Sequence, residues 1–482
     1  MNAAALLLSG AAASTALIEG SRRLSYDELR RQVERAAAAW LDYGLRPGDR
    51  CVIGLPDGAE WVAAFLGLMW MGALPIAVSP RAAAVLLRDL VDDSGAAALL
   101  LEDETSAAVA DARAIGLGTW RELLRAAPAT APLHPAEDDA PAFWLYSSGT
   151  TGRPKGIVHA HRAVAHAHVF AREVLGATAQ DLFYSTSKLF FAYPLANTLF
   201  AALRLGAGVV LDAEWPNPER VARNVARDAP TLFFSVPTLY RRMVEAGVPF
   251  GSVRCAVSAG EACPPDVAAG WRRQTGLSLL NGYGTTETLA LMLYRTGDAA
   301  GIVPTPLTSV RVDGGTEGRD GAVRLWFSHP SVALGYSRVV THDSAAFADG
   351  AFSPGDLFRP VGADAAGGWA FAGRADQLLK VYGRWVDTIA LEQSLAQRLQ
   401  GMVRESCIVA RGAGGDDTIG LHLFAVPLDG ADVARAAIAA AIADLPAYQR
   451  PQAIHLVADM PRTETGKLRR GVLGEMLDTG AG

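Results

Sequence analysis

Apolar runs of strand length alternate with helical patterns through the first three-quarters of this 482-residue chain. Helical patterns such as the one from Ala59 to Met71 separate the runs. Strands that alternate with helices are typical of a largely parallel, doubly wound α/β sheet, and this is the fold class that we expect. The runs that predict strands are Cys51–Leu55, Ala97–Leu101, Gly208–Leu211, Thr231–Ser235 and Val253–Ser258.

The stretch from Trp61 to Val78 is uncharged and nearly all apolar, which is close to the minimum length for a membrane span. Gly67 and Gly72 interrupt it, and Pro75 lies near its end. We therefore expect a buried helix, a glycine turn and a short buried strand, with no membrane insertion. The amino-terminal sequence MNAAALLLSGAAAST lacks a basic region and predicts no signal peptide.

The composition of the chain bears on its binding partners and on the redox state of its cellular compartment. The net charge is −6 and no basic block occurs, so nucleic acid is not expected as a main partner. The cysteines are scattered and form no C-x-x-C pair, which favours a reducing cytoplasm and argues against a zinc site or a disulfide framework. They are Cys51, Cys255, Cys263 and Cys407.

The length predicts two or more domains, and the segment from Gly373 to Asp376 is a plausible boundary. Residues 376–482 contain their own strand and helix patterns and are numerous enough for a small domain. We therefore predict a large domain over residues 1–375 and a small domain over residues 376–482.

The segment from Tyr146 to Gly156 reads YSSGTTGRPKG and follows an apolar stretch that predicts a buried strand. Glycines let the backbone curl so that its N–H groups converge on an anion, and Lys155 adds a mobile charge for phosphate oxygens. The spacing differs from that of the NTPase P-loop, and Pro154 argues against a helix that begins at the lysine. A phosphate-binding loop is predicted; the alternative is a solvated turn that ends in a lysine.

Further polar segments follow strand-like runs or lie in turns. Asn281 to Glu287 reads NGYGTTE and offers an aromatic face, hydroxyls and a hard carboxylate ligand suited to Mg²⁺. Alone, each of these segments would be interpreted as an ordinary turn with solvated charges. The others are Ser258–Ala262, Ser353–Asp356, Phe371–Asp376 and Pro461–Leu468.

Taken in order, these segments resemble the adenylate-forming superfamily from about residue 20 to residue 475. The superfamily includes acyl- and aryl-CoA ligases, firefly luciferase and the adenylation domains of peptide synthetases, and the pattern here is most similar to benzoate- and hydroxybenzoate-CoA ligases. The resemblance implies a large amino-terminal domain with doubly wound sheets and a small, mobile carboxy-terminal α+β domain. It also implies that ATP·Mg²⁺ converts a carboxylic acid to an acyl-adenylate and pyrophosphate, after which the acyl group passes to a thiol, usually that of CoA.

The resemblance assigns nucleotide contacts to individual residues of this sequence. It places Gly260, Glu261 and Tyr283 beside the adenine. It implies that Asp356 and Arg374 bind the ribose. The residues implied to hold the β- and γ-phosphates are Ser147, Ser148, Gly149, Thr150, Thr151, Gly152 and Lys155.

The catalytic residues implied by the resemblance come from both predicted domains. Thr286 would contact the α-phosphate, and Glu287 would help to hold Mg²⁺. Lys467, from PRTETGK, would bridge the carboxylate and the adenylate, because positive charge where negative charge develops lowers the barrier. Asp376 matches the hinge about which the small domain rotates, and Gly383 then lies on the thiol tunnel.

The segment from Ser187 to Tyr193 resembles the acid pocket of benzoate-type ligases. We expect Phe191, Ala192 and Tyr193, together with Gly282 and Ala290, to contact the acid. The segment lacks the aspartate that would meet an α-ammonium group, so an amino acid is not expected, and an aromatic wall suits a flat ring. The alternative is that these aromatic residues only pack the core.

One position departs from the family pattern. Benzoate-type ligases usually carry a histidine three residues after the glutamate of NGYGTTE, where this sequence has Ala290. The smaller side chain leaves more room and favours a substituted or larger aryl acid.

The acceptor and the class of acid remain open. The acceptor is either CoA or the phosphopantetheine arm of a carrier protein, and the acid is either an aryl or a fatty acid. A nucleotide-binding protein without catalysis is disfavoured by Lys467, Glu287 and Asp356. The oligomeric state is expected to be a monomer or a homodimer.

Overall fold

The computed structural model describes most of the chain as two compact units. The first unit comprises Met1–Val312, Trp326–Pro354 and Pro360–Ala370, and the second comprises Asp313–Leu325, Gly355–Arg359 and Phe371–Gly482. The residues described are 1–148, 154–297, 299–317, 321–337, 346–374, 378–381, 384–412, 419–428, 430–462 and 468–478.

The α-helices are numbered here in chain order. They are α1 Ala3–Leu7, α2 Tyr26–Tyr43, α3 Ala59–Trp70, α4 Ala84–Ser94, α5 Asp103–Val109, α6 Leu117–Ala126, α7 Arg162–Ala165, α8 Val169–Glu173, α9 Ala192–Pro194, α10 Ala201–Leu205, α11 Pro218–Asp228, α12 Pro237–Glu245, α13 Pro265–Thr275, α14 Thr388–Arg398, α15 Ala431–Ala443 and α16 Arg470–Asp478. A π-helix spans Leu195–Phe200, and short 3₁₀ helices span Ala363–Ala365 and Ala447–Gln449.

The strands are numbered in the same way. They are β1 Thr15–Glu19, β2 Arg22–Ser25, β3 Arg50–Gly54, β4 Leu74–Ala77, β5 Ala98–Leu101, β6 Ala114–Gly116, β7 Pro141–Ser148, β8 Pro154–Ala160, β9 Leu182–Ser185, β10 Gly208–Leu211, β11 Leu232–Ser235, β12 Cys255–Ser258, β13 Leu279–Tyr283, β14 Leu293–Arg295, β15 Val303–Pro304, β16 Ser309–Glu317, β17 Val323–Ser328, β18 Gly335–Tyr336, β19 Phe347–Ala348, β20 Ala351–Phe352, β21 Asp356–Pro360, β22 Trp369–Arg374, β23 Leu378–Val381, β24 Arg384–Asp387, β25 Val403–Gly412, β26 Ile419–Pro427 and β27 Ala453–Leu456.

A nine-stranded sheet forms one layer of the first unit, in the order β15-β14-β13-β12-β11-β9-β10-β1-β2. The strands from β13 to β1 are parallel, and β2, β14 and β15 pair antiparallel at the two edges. The predicted α/β class is confirmed. All five strand predictions are confirmed as well, with ends that shift by one or two residues in four of them.

A seven-stranded sheet of the first unit has the order β18-β8-β7-β4-β3-β5-β6. The strands β7, β4, β3, β5 and β6 are parallel, whereas β8 and β18 run antiparallel at one edge. The predicted phosphate loop therefore connects a parallel strand to an antiparallel one.

The membrane-length apolar stretch folds as expected into helix α3, a turn and strand β4. Helix α3 confirms the predicted helix Ala59–Met71 to within one residue, and it runs through Gly67. A Cβ at Gly67 would lie 2.8 Å from the Cβ of Ala36 on α2, so glycine permits close packing of the two helices. Gly72 lies in the turn between α3 and β4, with φ of +84°. Within the described residues no helix is long and apolar enough to cross a membrane.

Helix α2 shows how local signals and burial combine. Ser25 caps its amino terminus in a capping box with Glu28, and Gly44 ends it in the left-handed conformation with φ of 112°. Its apolar face includes Trp40, which stacks on Trp120 at 4.2 Å between ring centroids.

The nine-residue strand β16 follows β15 in the chain. Strand β17 pairs with β20 inside the first unit and with β21 inside the second.

The second unit has its own hydrophobic core. Strands β25, β26 and β27 form one sheet, and β23 pairs with β24 in a two-stranded sheet. Leu395, Leu423 and Ile438 are fully buried between these strands and helices α14 and α15. Besides Phe371–Gly482, this unit includes residues 313–325 and 355–359. The domain boundary at residue 376 therefore stays a prediction.

Candidate active site

The predicted phosphate loop joins the two strands of an antiparallel hairpin. Strand β7 pairs with β8 so that Ser147 lies opposite Lys155 and Ser148 lies opposite Pro154. Lys155 therefore begins a strand rather than a helix, as Pro154 indicated. Of the loop residues, Gly149, Thr150, Thr151 and Gly152 lie outside the described part of the chain.

Lys155 and Glu287 both contact Tyr336. The Nζ atom of Lys155 lies 5.3 Å from the centroid of the Tyr336 ring, within range of a cation–π interaction. The hydroxyl of Tyr336 donates a hydrogen bond to Oε1 of Glu287 at 3.0 Å. The structure thus brings together the predicted phosphate-binding cation and the predicted metal ligand, which are 132 positions apart in the sequence. Sequence reasoning missed Tyr336, whose only signal was an aromatic residue after a glycine.

Asp93 joins Tyr146 on strand β7 to Ser337, the residue that follows Tyr336. Asp93, at the end of α4, accepts hydrogen bonds on Oδ2 from the Tyr146 hydroxyl at 2.6 Å and from the Ser337 hydroxyl at 2.8 Å. The backbone N–H of Ser337 donates to the carbonyl of Gly156 at 2.7 Å. Asp93 therefore fixes both sides of the hairpin and is a second residue that the sequence did not reveal.

The NGYGTTE segment leaves strand β13 through a tight turn. The hydroxyl of Thr288 accepts from the N–H of Thr285 and donates to backbone carbonyls, and Leu289 adopts a positive φ of 60°. A Cβ at Gly284 would lie 2.8 Å from the carbonyl oxygen of Ala290, so only glycine allows this return of the chain. The turn leaves the side chains of Thr286 and Glu287 half-buried.

Gly260 and Glu261 follow strand β12, the parallel neighbour of β13. Gly260 has φ of +90°, and Glu261 Oε2 accepts a hydrogen bond from the Thr238 hydroxyl at 3.1 Å. Tyr283, the last residue of β13, packs against Phe327 with 5.9 Å between ring centroids. These residues lie at the carboxyl ends of neighbouring parallel strands, where ligands of open α/β sheets gather.

Asp356 and Arg374, the two predicted ribose ligands, contact each other in the second unit. A nitrogen of the Arg374 guanidinium donates to Oδ1 of Asp356 at 3.0 Å, and the Asp356 side chain is only 8 % exposed. The ion pair orients a carboxylate beside a guanidinium, which is a suitable arrangement for vicinal hydroxyls.

The predicted acid-pocket segment is built on irregular helices. Ala192 begins α9, which leads directly into the π-helix Leu195–Phe200, a rare conformation that is frequent at functional sites. The hydroxyl of Tyr193 donates to the carbonyl of Val257 on β12 at 2.9 Å. Burial raises the pKa of Tyr193 well above its ordinary value, so the side chain stays a neutral phenol. Phe190 and Phe191 contact each other, with 4.1 Å between ring centroids.

A buried polar cluster holds the start of this segment. Both carboxylate oxygens of Asp57 accept from the backbone N–H of Leu189, at 3.1 and 3.2 Å. Lys188 donates to the backbone carbonyls of Asp212 and Glu214, each at 2.5 Å. Burial raises the pKa of Asp57 to about 7, and burial also lowers the pKa of Lys188. The only sequence signal for Asp57 was an acid two residues after the predicted strand Cys51–Leu55.

Gly282 and Ala290 lie on either side of the turn at residues 286–288. A Cβ at Gly282 would lie 2.5 Å from Cδ1 of Leu291, so the Leu291 side chain would have to shift to make room for it. Ala290 is half-buried. Val257, whose carbonyl accepts from Tyr193, pairs with Leu280 on β13, so Tyr193 contacts the strand next to the one that carries Gly282.

The remaining predicted site residues belong to the carboxy-terminal part of the chain. Asp376, Gly383 and Lys467 lie outside the described residues, and their roles stay predictions. Among the residues that the structure describes, no group of three or more His, Cys, Asp or Glu side chains is arranged to hold a metal.

Known proteins resemble this chain along nearly its whole length. Residues 9–337 match the family described as AMP-binding enzyme. The chain is 32% identical to the 3-hydroxybenzoate–CoA ligase of Aromatoleum sp. (strain CIB), with 98% of this chain and 95% of the relative covered. It is 33% identical to the benzoate–CoA ligase of Thauera aromatica, with 96% and 93% covered.

A solved benzoate CoA ligase from Burkholderia xenovorans LB400 superposes on the chain with a TM-score of 0.84. The two are 28% identical, and the match covers 98% of this chain and 99% of the other. The family match and the nearly full-length identity above 30% lead to one conclusion: this chain belongs to the AMP-binding enzyme family of adenylate-forming ligases.

Proposed function

We propose that this enzyme activates an aryl carboxylic acid with ATP·Mg²⁺ and then transfers the acyl group to the thiol of CoA. The observation that carries the proposal is the contact of Lys155 and Glu287 with one side chain, Tyr336, beside the phosphate hairpin. A cation and a hard oxygen ligand at one place suit a metal-bound polyphosphate. The nearly full-length similarity to 3-hydroxybenzoate– and benzoate–CoA ligases supports the aryl acid and the CoA acceptor.

The first step joins two anions, the carboxylate and the α-phosphate. Lys155 and the hairpin, from Ser147 onward, would hold the β- and γ-phosphates, and Thr286 would donate to the α-phosphate. The residues fit Mg²⁺, because this ion is commonly held by one or two carboxylates together with substrate phosphates. Oε1 of Glu287 accepts from Tyr336, while Oε2 has no hydrogen-bond partner among the described residues. When bound, Mg²⁺ would neutralise charge that develops on the leaving pyrophosphate.

The nucleoside would be held by the remaining predicted residues. Gly260, Glu261 and Tyr283 would border the adenine, and the Asp356–Arg374 pair would bind the ribose hydroxyls. Lys467 would bridge the carboxylate and the adenylate in the first step, since its positive charge stabilises both anions. These assignments rest on the resemblance of the surrounding motifs.

The acid would lie against Phe191, Ala192 and Tyr193, with Gly282 and Ala290 close by. The hydroxyl of Tyr193 is committed to the carbonyl of Val257, so this residue would present its ring and not its polar group. A flat apolar wall favours an aromatic ring over a flexible alkyl chain. The small Ala290 would leave room for a ring substituent.

In the second step, rotation about Asp376 would withdraw Lys467 and bring Gly383 to the thiol tunnel. This mechanism requires a mobile domain that begins near residue 376. The acceptor is proposed to be CoA itself, and loading of a carrier protein is the alternative. All four cysteines are free, which supports a reducing cytoplasm as the compartment.

The test is a panel of aryl and alkyl acids scored for pyrophosphate release and for thioester formation. We expect release that depends on an aryl acid, followed by a CoA thioester detected by mass spectrometry. Acyl transfer to a carrier protein but not to CoA would replace the proposed acceptor. A preference for octanoate over every aryl acid would refute the proposed substrate class.

A further inference from the structure

We infer that Tyr336 is a positioning residue that couples the metal-binding glutamate to the phosphate-binding lysine. The inference rests on the proposed function and extends it to a residue that no motif indicated. One side chain makes both contacts: its hydroxyl donates to Oε1 of Glu287 at 3.0 Å, and its ring lies 5.3 Å from Nζ of Lys155.

Backbone hydrogen bonds and a ring contact hold Tyr336 in this place. Strand β18 pairs antiparallel with β8, with Tyr336 opposite Ile157, so it extends the sheet that carries the phosphate hairpin. The N–H of Ala333 donates to the carbonyl of Glu287 at 2.9 Å. The ring of Phe347 meets the ring of Tyr336 edge-on, with 5.2 Å between centroids. Because these contacts already fix the Tyr336 side chain, it loses no further conformational freedom when it orients its neighbours at each turnover.

The hydroxyl acts on Glu287. A carboxylate on a half-buried turn can rotate, and a metal ion binds best when the ligand oxygen is already aimed. By occupying Oε1, the tyrosine fixes the carboxylate plane and leaves Oε2 for the metal. Hydrogen bonds of this kind to metal ligands are commonly worth about 10- to 100-fold in metal affinity or activity.

The ring acts on Lys155. The negative face of the ring attracts the ammonium group and limits the volume that this long side chain explores. The same tyrosine thus contacts both Lys155 and Glu287. The bound phosphate and the metal ion would therefore be held in a fixed geometry relative to each other. The hydroxyl and the ring therefore have separable effects, which two substitutions can distinguish.

The experiment compares Tyr336→Phe and Tyr336→Leu with the parent enzyme. ATP binding is measured by titration calorimetry with and without Mg²⁺, and the Mg²⁺ concentration for half-maximal acid-dependent pyrophosphate release is measured in parallel. Tyr336→Phe keeps the ring, so it should raise that concentration by about 10- to 100-fold and leave metal-free ATP binding unchanged. Tyr336→Leu should in addition weaken metal-free ATP binding by about 2- to 5-fold.

Tyr43→Phe is the matched control, because Tyr43 ends helix α2 and its hydroxyl has no hydrogen bond among the described residues. It should behave as the parent does. An unchanged Mg²⁺ dependence in Tyr336→Phe overturns the inference, and that variant decides alone if Tyr336→Leu does not fold. Absence of acid-dependent pyrophosphate release from the parent would instead overturn the proposed function, while the calorimetric comparison would still report on Tyr336.

Discussion

Replacing Asp57 with asparagine should change how the stability of the protein depends on pH. Asp57 is 7 % exposed, and both of its carboxylate oxygens accept from the N–H of Leu189 at the start of the aromatic segment. Burial raises its pKa from 3.8 to about 7, although Lys188 and the Leu189 N–H partly oppose the rise. Asparagine keeps an oxygen acceptor of the same shape and cannot ionise.

The sign of the effect follows from the direction of the pKa shift. A carboxyl group with a raised pKa in the folded state contributes stability that is fully present below the unfolded pKa. That stability is lost as the pH rises through the folded pKa. The loss is about 1.4 kcal/mol per pH unit between the two pKa values. Between about pH 5 and pH 8 the parent should therefore lose about 2–3 kcal/mol that the Asp57→Asn variant does not lose.

The measurement is the free energy of urea unfolding of the parent and the variant at several pH values, followed by tryptophan fluorescence. The difference between the two proteins isolates Asp57 from the histidines that titrate in the same range. Asp181→Asn is a matched control, because Asp181 is also buried. Burial opposes ionisation there, yet hydrogen bonds from Arg254, Thr178 and Thr231 lower its pKa to about 2.

Above about pH 5, the Asp181 carboxylate is ionised in both the folded and the unfolded state. The difference in the free energy of unfolding between the parent and Asp181→Asn should therefore not change with pH. If the difference between the parent and Asp57→Asn is equally flat, Asp57 does not titrate near neutrality and the reasoning from burial is refuted.

Three further predictions concern catalysis. Lys467→Ala should reduce adenylation by about 10²-fold or more and spare thioester formation from supplied acyl-adenylate; an equal loss in both half-reactions would contradict two catalytic conformations. Gly383→Leu should block CoA transfer and leave adenylation largely intact, and CoA transfer at the parent rate would remove Gly383 from the tunnel. Ala290→His should shift the ratio of kcat/KM toward smaller benzoates by about 10- to 200-fold, because one added side chain refills the pocket. An unchanged ratio would show that Ala290 does not line the pocket.

The local features of this fold were predictable because they are properties of short segments. Alternating apolar runs are read from consecutive residues, and strands β3, β5, β10, β11 and β12 appear where those runs predicted them. Pro154 argued against a helix that begins at Lys155, and the hairpin of β7 and β8 agrees with that expectation. The order of the motifs along the chain indicated the family without any structure.

The contacts that organise the site depend on residues that are distant in sequence. Asp57 and Leu189 are 132 positions apart, and Tyr336 is 49 positions from Glu287. No local pattern marks such pairs, since an aspartate after a strand or a tyrosine after a glycine is usually a surface residue. Gly67 shows the same limit, because α2 packs so closely on α3 that glycine is required inside a helix.

The sequence by itself determined the strands, the family and the identity of the chemical groups, because side-chain chemistry and local periodicity are properties of consecutive residues. Only the tertiary structure decided which groups meet. Sheet pairing brings β18 against β8 and so places Tyr336 between Lys155 and Glu287, while burial gives Asp57 a pKa near neutrality. Both effects arise from neighbours that long-range packing supplies.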